Sequence, residues 1–229
     1  MKTIGLIGGM SWESTIPYYL IINEYVRENM GGLHSAKIIL YSVEFDEIEK
    51  CQSSGEWEKS GEILGDAAKK LEGAGADIIL ICTNTMHKVY EQVQGQVNVP
   101  ILHIADATAD SLGNDNVKAA ALLGTKYTMT QDFYKKKLTD RGLKVLVPDA
   151  NDIELVNDII FKELCLGIIN DSSRKELSRI IAGLKDKGAE AVILGCTEIG
   201  LLVHAEDSAL KLYDTTVIHA LCAARLATD

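Results

Sequence analysis

The sequence predicts an α/β fold of two pseudo-symmetric lobes, each a mainly parallel sheet flanked by helices. Three observations carry this. Short apolar runs alternate with longer amphipathic stretches. The runs are almost continuously hydrophobic, as parallel strands covered on both faces are. The chain also repeats itself. Gly75-Ala76-Asp77-Ile78-Ile79-Leu80-Ile81-Cys82-Thr83-Asn84 aligns without a gap with Gly188-Ala189-Glu190-Ala191-Val192-Ile193-Leu194-Gly195-Cys196-Thr197, offset by 113 residues (83 to 196). Lys2–Gly8 resembles Lys118–Gly124 at an offset of 116 (2 to 118).

Strands are expected at Ile4–Ile7, Lys37–Val43, Ile78–Cys82, Ile101–Ile104, Ala119–Leu123, Lys144–Val147 and Ala191–Leu194. Helical periodicity runs through Thr15–Met30, Ser60–Gly73, Thr130–Arg141, Asp152–Leu166 and Arg174–Lys187. Gly31, Gly75, Gly142 and Gly188 fall near helix ends, where a left-handed residue is wanted. Alternating β and α segments imply right-handed crossovers and flavodoxin-like lobes. These span residues 1–100, joined by the C-terminal helical segment 215–229, and residues 115–210. Asp214-Thr215-Thr216 caps that last helix. Asp110–Asn116, with its Asn, Asp and Gly, reads as a flexible hinge. Ligands of open parallel sheets sit beyond the carboxyl ends of the strands, so the active site is expected between the lobes.

Composition narrows the function. A net charge of −10 argues against a nucleic-acid footprint, which needs a basic stripe. No apolar run approaches the roughly 20 residues of a membrane span. The opening Met1–Gly9 reads as a strand and not as a leader. Five cysteines, an odd number without CxxC spacing, suggest free thiols in the cytoplasm and neither a metal site nor a disulfide frame.

The residues able to do chemistry follow the strands. Gly8-Gly9-Met10-Ser11 lacks dinucleotide-binding spacing, but the amides of Gly9 and Met10 would suit a carboxylate at a helix start. Cys196, between Gly195 and Thr197 at a strand end, is the candidate reactive thiol, its pKa expected to be lowered by turn amides. The gapless repeat sets Thr83 against Cys196. Strand alternation then turns Cys82 toward the core, although a register slipped by one would match Cys82 to Cys196 instead. Asn84, Thr85, Thr125, Thr128 and Thr197 are candidate substrate donors, and His87 a candidate carboxylate ligand or acid. Lys126 reads as solvated, and Cys51, Cys165 and Cys222 as small core residues. His103 and His219 read as structural.

These loops, with Ile4–Trp12, Asn84-Thr85-Met86-His87, Leu123-Gly124-Thr125, Gly195–Ile199 and Asp214–Ala220, make the chain resemble the aspartate/glutamate racemase superfamily over essentially its whole length. The resemblance implies a cofactor-independent, commonly dimeric amino-acid racemase. In that family one cysteine before Asn-Thr and one in Gly-Cys-Thr flank the substrate α-carbon, one thiolate removing a proton and the other thiol returning one. Here Thr83 stands at the first position. A threonine hydroxyl is a poor base but can donate or relay a proton, so turnover from the L-enantiomer should survive on Cys196 and turnover from the D-enantiomer be crippled. Gln52 and Cys165 are the counterparts of an arginine and a lysine found in aspartate-specific members. The resemblance therefore implies L-aspartate and L-glutamate or broader polar amino acids as substrates. A single-thiol decarboxylase of the same superfamily, or a protein that only clamps an amino acid, are the other readings.

Overall fold

All 229 residues are described in the computed structural model. They divide into two compact units, Met1–Ile104 with His219–Asp229, and Ala105–Ile218.

In the first unit, β1 (Thr3–Gly8) leads into α1 (Trp12–Met30), whose N-cap Ser11 accepts from the Ser14 amide. Next come β2 (Lys37–Ser42), α2 (Phe45–Ser54), α3 (Trp57–Gly73), β3 (Ile78–Ile81), a 3₁₀ turn (Thr85–Val89), α4 (Tyr90–Gln94) and β4 (Ile101–Leu102). The sheet order is β2-β1-β3-β4, every pair parallel. The strands' two faces bury different residues. Ile79 and Ile81 pack with Ile7 beneath α3 and α4, whereas Ile78, Leu80 and Cys82 pack with Ile4, Leu6, Tyr18 and Ile22.

The chain continues through α5 (Ile104–Asn114), β5 (Ala119–Gly124), α6 (Lys126–Thr130), α7 (Asp132–Thr139), β6 (Lys144–Leu146), α8 (Ala150–Lys162), α9 (Asp171–Asp186), β7 (Ala191–Gly195), β8 (Lys211–Asp214) and α10 (Thr215–Thr228). The second sheet repeats the first as β6-β5-β7-β8, again all parallel. Register repeats too: Ile4 pairs with Ile78, and Ala120, 116 residues on from Ile4, pairs with Ala191, 113 on from Ile78. The sequence repeat is thus a structural one. Ala220, Ala223, Ala224 and Ala227 of α10 pack on Ile4, Leu6, Ile78 and Leu80, so small side chains let this helix lie close to the first sheet.

Several elements differ from the sequence reading. The supposed hinge at Asp110–Asn116 is mostly helix, because α5 buries Ile104, Ala105, Thr108, Ala109 and Leu112 and leaves Asp110 and Asn114 exposed. The strand expected to Ile104 stops at Leu102, since Ile104 opens α5. β8 escaped notice because only Leu212 and Tyr213 are apolar in it. α2 was missed because its charged surface masks one buried stripe, with Glu44 capping Asp46 and Glu47. The helix expected over Thr130–Arg141 breaks at Gln131, which is extended at φ −94° and ψ 160°. The one over Asp152–Leu166 likewise breaks at Glu163. The four glycines all take positive φ. No helix is long and apolar enough to cross a membrane.

Candidate active site

The first unit's chemistry-bearing loop follows β3. Cys82 is fully buried among Ile4, Leu6, Tyr18 and Leu80, and burial pushes its thiol up. Thr83 follows in the bend after β3 and is buried. Its amide donates to Ile81 O at 2.9 Å and its carbonyl accepts from His87 Nδ1 at 2.8 Å. Asn84, Thr85 and His87 are all buried. Gln52 reaches the same loop from α2, its Nε2 lying 3.1 Å from Met86 Sδ.

Two expected ligand groups have other duties. His87 is not available as a carboxylate ligand: Nδ1 serves the Thr83 carbonyl, and Nε2 accepts the Ile104 amide at 3.2 Å. The Gly9 amide is also committed, donating to Thr15 Oγ1 at 2.9 Å, which passes its own proton to Ser11 O at 2.7 Å. Gly9 has φ +89°, and a Cβ there would lie 2.4 Å from Val43 O. The glycine is required by this close approach of backbones and not by a bound anion. Met10 buries its side chain in the core beside Ile7 and Val43. His219 and His103 are both buried beside this loop. His219 donates Nε2–H to Leu102 O and accepts from the Tyr18 hydroxyl, both at 3.0 Å, and His103 packs 4.5 Å from His87.

The second unit's loop follows β7. Gly124 pairs with Gly195, and a Cβ on Gly124 would fall 2.6 Å from Gly195 O, so both strands must end in glycine to close this near. Cys196 comes next, on the face of Val192 and Leu194 and only 6% exposed. Its thiol donates to Glu198 Oε2 at 2.9 Å, and Thr197 Oγ1 donates to the same oxygen at 2.9 Å. The expectation of a lowered pKa is overturned. Burial, then the Glu198 charge, then Cys165 nearby hold the thiol well above its ordinary value. Desolvation outweighs whatever the turn amides contribute. Cys165, half-buried in the 3₁₀ turn Leu164–Leu166, packs against the same core cluster. Thr125 caps α6, its Oγ1 3.4 Å from the Thr128 amide and 3.2 Å from Thr128 Oγ1. Asp214 Oδ1 accepts from the Thr216 and Val217 amides at the start of α10, and Thr215 Oγ1 bonds Leu194 O at 2.8 Å, tying that helix to β7.

The repeat therefore aligns two loops with different chemistry. Thr83 matches Cys196, Asn84 matches Thr197, and Thr85 matches Glu198. The sequence profile of the family described as Asp/Glu/Hydantoin racemase matches residues 7–223. The chain belongs to this family. It is accordingly an isomerase of the racemase type. The broad specificity amino-acid racemase RacX of Bacillus subtilis (strain 168) is 25% identical over 93% of this chain and 92% of its own. Among solved structures, a Yersinia pestis protein described as a candidate Asp/Glu racemase is 52% identical, with both chains covered completely and a TM-score of 0.92. An aspartate racemase homologue from Pyrococcus horikoshii OT3 is 40% identical, again with complete coverage, at a TM-score of 0.85.

Within this racemase-family chain, Glu198 is the residue sequence reasoning passed over. The available signal was its spacing: an acid two residues after a strand-end cysteine, in a turn that folds its side chain back onto the sulfur.

Proposed function

We propose that the chain is a cofactor-independent amino-acid racemase acting preferentially on L-aspartate and L-glutamate. Cys196 takes the α-proton from one face of the substrate, and Thr83, or a water it holds, supplies a proton to the other. The observation that carries this is the 2.9 Å contact between the Cys196 thiol and Glu198, set against the hydroxyls Thr83 and Thr85 at the matching positions. Glu198 gives the thiol proton somewhere to go. The desolvation that makes Cys196 a reluctant acid also makes its thiolate a stronger base toward a weakly acidic C–H. Thr83 has no carboxylate partner, so it donates in the L-to-D direction and, with solvent restoring its proton, is the weaker acceptor in the reverse one.

The carbanion developing at the α-carbon needs donors aimed at the substrate carboxylate, each worth roughly 2.7–4 kcal/mol when well placed. Asn84, Thr85, Thr125, Thr128 and Thr197, with the Met10 amide, are the proposed donors. Gln52, in place of a cation, favours hydrogen bonding to the substrate side chain over ion pairing. It leaves room for broader polar substrates, and the RacX name reports broad specificity for that relative. Because the L/D equilibrium constant is unity, kcat/KM for racemisation is equal in both directions. The asymmetry of the site must therefore appear as α-proton exchange with retention. We further propose a homodimer, for which the exposed apolar residues Trp12, Ile16, Tyr19 and Leu20 of α1 offer a self-complementary face.

The test is incubation with a panel of L- and D-amino acids in deuterated water without added cofactor. Exchange and racemisation of aspartate or glutamate, lost in Cys196→Ala, support the reading. A protein that binds amino acids but exchanges nothing contradicts it. The burial of Cys82 leaves one thiol at the matched loop positions, which also fits a single-thiol decarboxylase. Release of carbon dioxide from a malonate, with no amino-acid turnover, would favour that second reading.

A further inference from the structure

Resting on the proposed donor role of Thr83, we propose that His87 is a positioning residue, held as its neutral Nδ1–H tautomer, that fixes the Thr83 hydroxyl by clamping the Thr83 carbonyl. The logic is one of donors and acceptors. The Ile104 amide can only donate, so Nε2, 3.2 Å away, must be unprotonated. The Thr83 carbonyl can only accept, so the proton on Nδ1, 2.8 Å away, points at it. A second proton on the ring would forfeit the Ile104 bond and set a charge beside His103 and His219, whose rings lie 4.5 and 5.9 Å away. Tyr90 stacks on the remaining side at 6.3 Å. The ring is 3% exposed, so none of this is open to substitution by water.

The second loop does without such a clamp. Its residue at the His87 position is Gly200, and the Cys196 carbonyl is served by the Ile199 amide at 3.2 Å. The side-chain clamp belongs to the loop that carries the weak donor. Cys196 has a carboxylate partner to set its proton affinity. A hydroxyl stays un-ionised throughout the working pH range, so its efficiency depends on distance and direction alone, and a displacement of about 1 Å costs about 10²-fold. With its amide on Ile81 O and its carbonyl on His87, Thr83 is held on both sides of its α-carbon.

Two variants separate the ring's two bonds. His87→Asn places an amide donor near Nδ1 and keeps the Thr83 bond, while His87→Gln places an oxygen near Nε2 and keeps the Ile104 bond. Each is compared with Thr83→Ala, following both inversion and deuterium exchange with retention in L-aspartate or L-glutamate. Expected is a 10- to 100-fold loss of inversion in His87→Gln, near-normal inversion in His87→Asn, and L-exchange with retention kept in both, since Cys196 is untouched. Equal inversion in His87→Gln and wild type, or parallel loss of inversion and retention in both variants, overturns the proposal. If Thr83→Ala leaves inversion intact, the donor role of Thr83 falls and this inference with it. If Thr83→Ala cuts inversion and His87→Gln does not, only the clamp is wrong. Should either variant not fold, the tautomer is read on the wild-type protein by nitrogen-15 NMR of the histidine rings. An Nε2-protonated or doubly protonated His87 at neutral pH refutes the proposal.

Discussion

Three buried side chains, Glu198, Cys82 and His219, each make a separable prediction. Replacing Glu198 by Gln removes a negative charge from beside Cys196, so the thiol should ionise at lower pH, as read from thiolate ultraviolet absorbance. Racemisation should nevertheless fall by about 10²-fold, because the proton acceptor is gone. An unchanged rate would show that Glu198 only tunes the thiol. Cys82, sealed among Ile4, Leu6 and Tyr18, should behave as a core residue. Cys82→Ala is expected to cost about 1 kcal/mol in denaturant unfolding and leave α-exchange intact, whereas lost exchange in a folded variant would return Cys82 to the chemistry. His219 is buried with its pKa lowered to about 3, first by burial and then by His87 nearby, against the ordinary value near 6.5. The unfolded chain therefore binds a proton that the folded chain refuses. His219 contributes fully above about pH 6.5, and that contribution is lost as pH falls toward 3, by on the order of 5 kcal/mol at most. The melting temperature of His219→Gln should thus fall less steeply than wild type over that window. Parallel curves would refute this.

At the scale of elements, the two sheets show what the sequence made legible. The gapless offset of 113 residues located β3 and β7 and matched Thr83 to Cys196, because a parallel strand buried on both faces leaves an unbroken apolar run. Alternation along that run correctly turned Cys82 inward. β8 and α2 were illegible for the opposite reason, one short and half polar, the other burying only a narrow stripe. Glu198 and the Gly9 amide needed coordinates, since nothing in residue order says which acceptor a side chain or amide finds. The paired strand ends make their own prediction. A methyl group on Gly124 would meet Gly195 O at 2.6 Å, and backbone cannot step aside as a side-chain tip can. Gly124→Ala should lose about 1–3 kcal/mol in denaturant unfolding and lower turnover by shifting Cys196. Wild-type stability and turnover together would mean that the strand ends tolerate more separation than their register suggests.

For the molecule as a whole, a βα plan is repeated in strand order and register while the loops after β3 and β7 differ, one carrying a thiol bonded to a carboxylate and the other a threonine whose carbonyl is bonded to His87. The strand plan repeats and the proposed chemistry does not. Deuterium wash-in, measured separately on L- and D-glutamate with chiral separation of the recovered amino acid, reads that asymmetry directly. Deuterium should enter recovered L-glutamate faster than it enters recovered D-glutamate, because Cys196 takes and returns a proton on its own face faster than Thr83 does on the other. Equal wash-in from the two enantiomers would contradict the account.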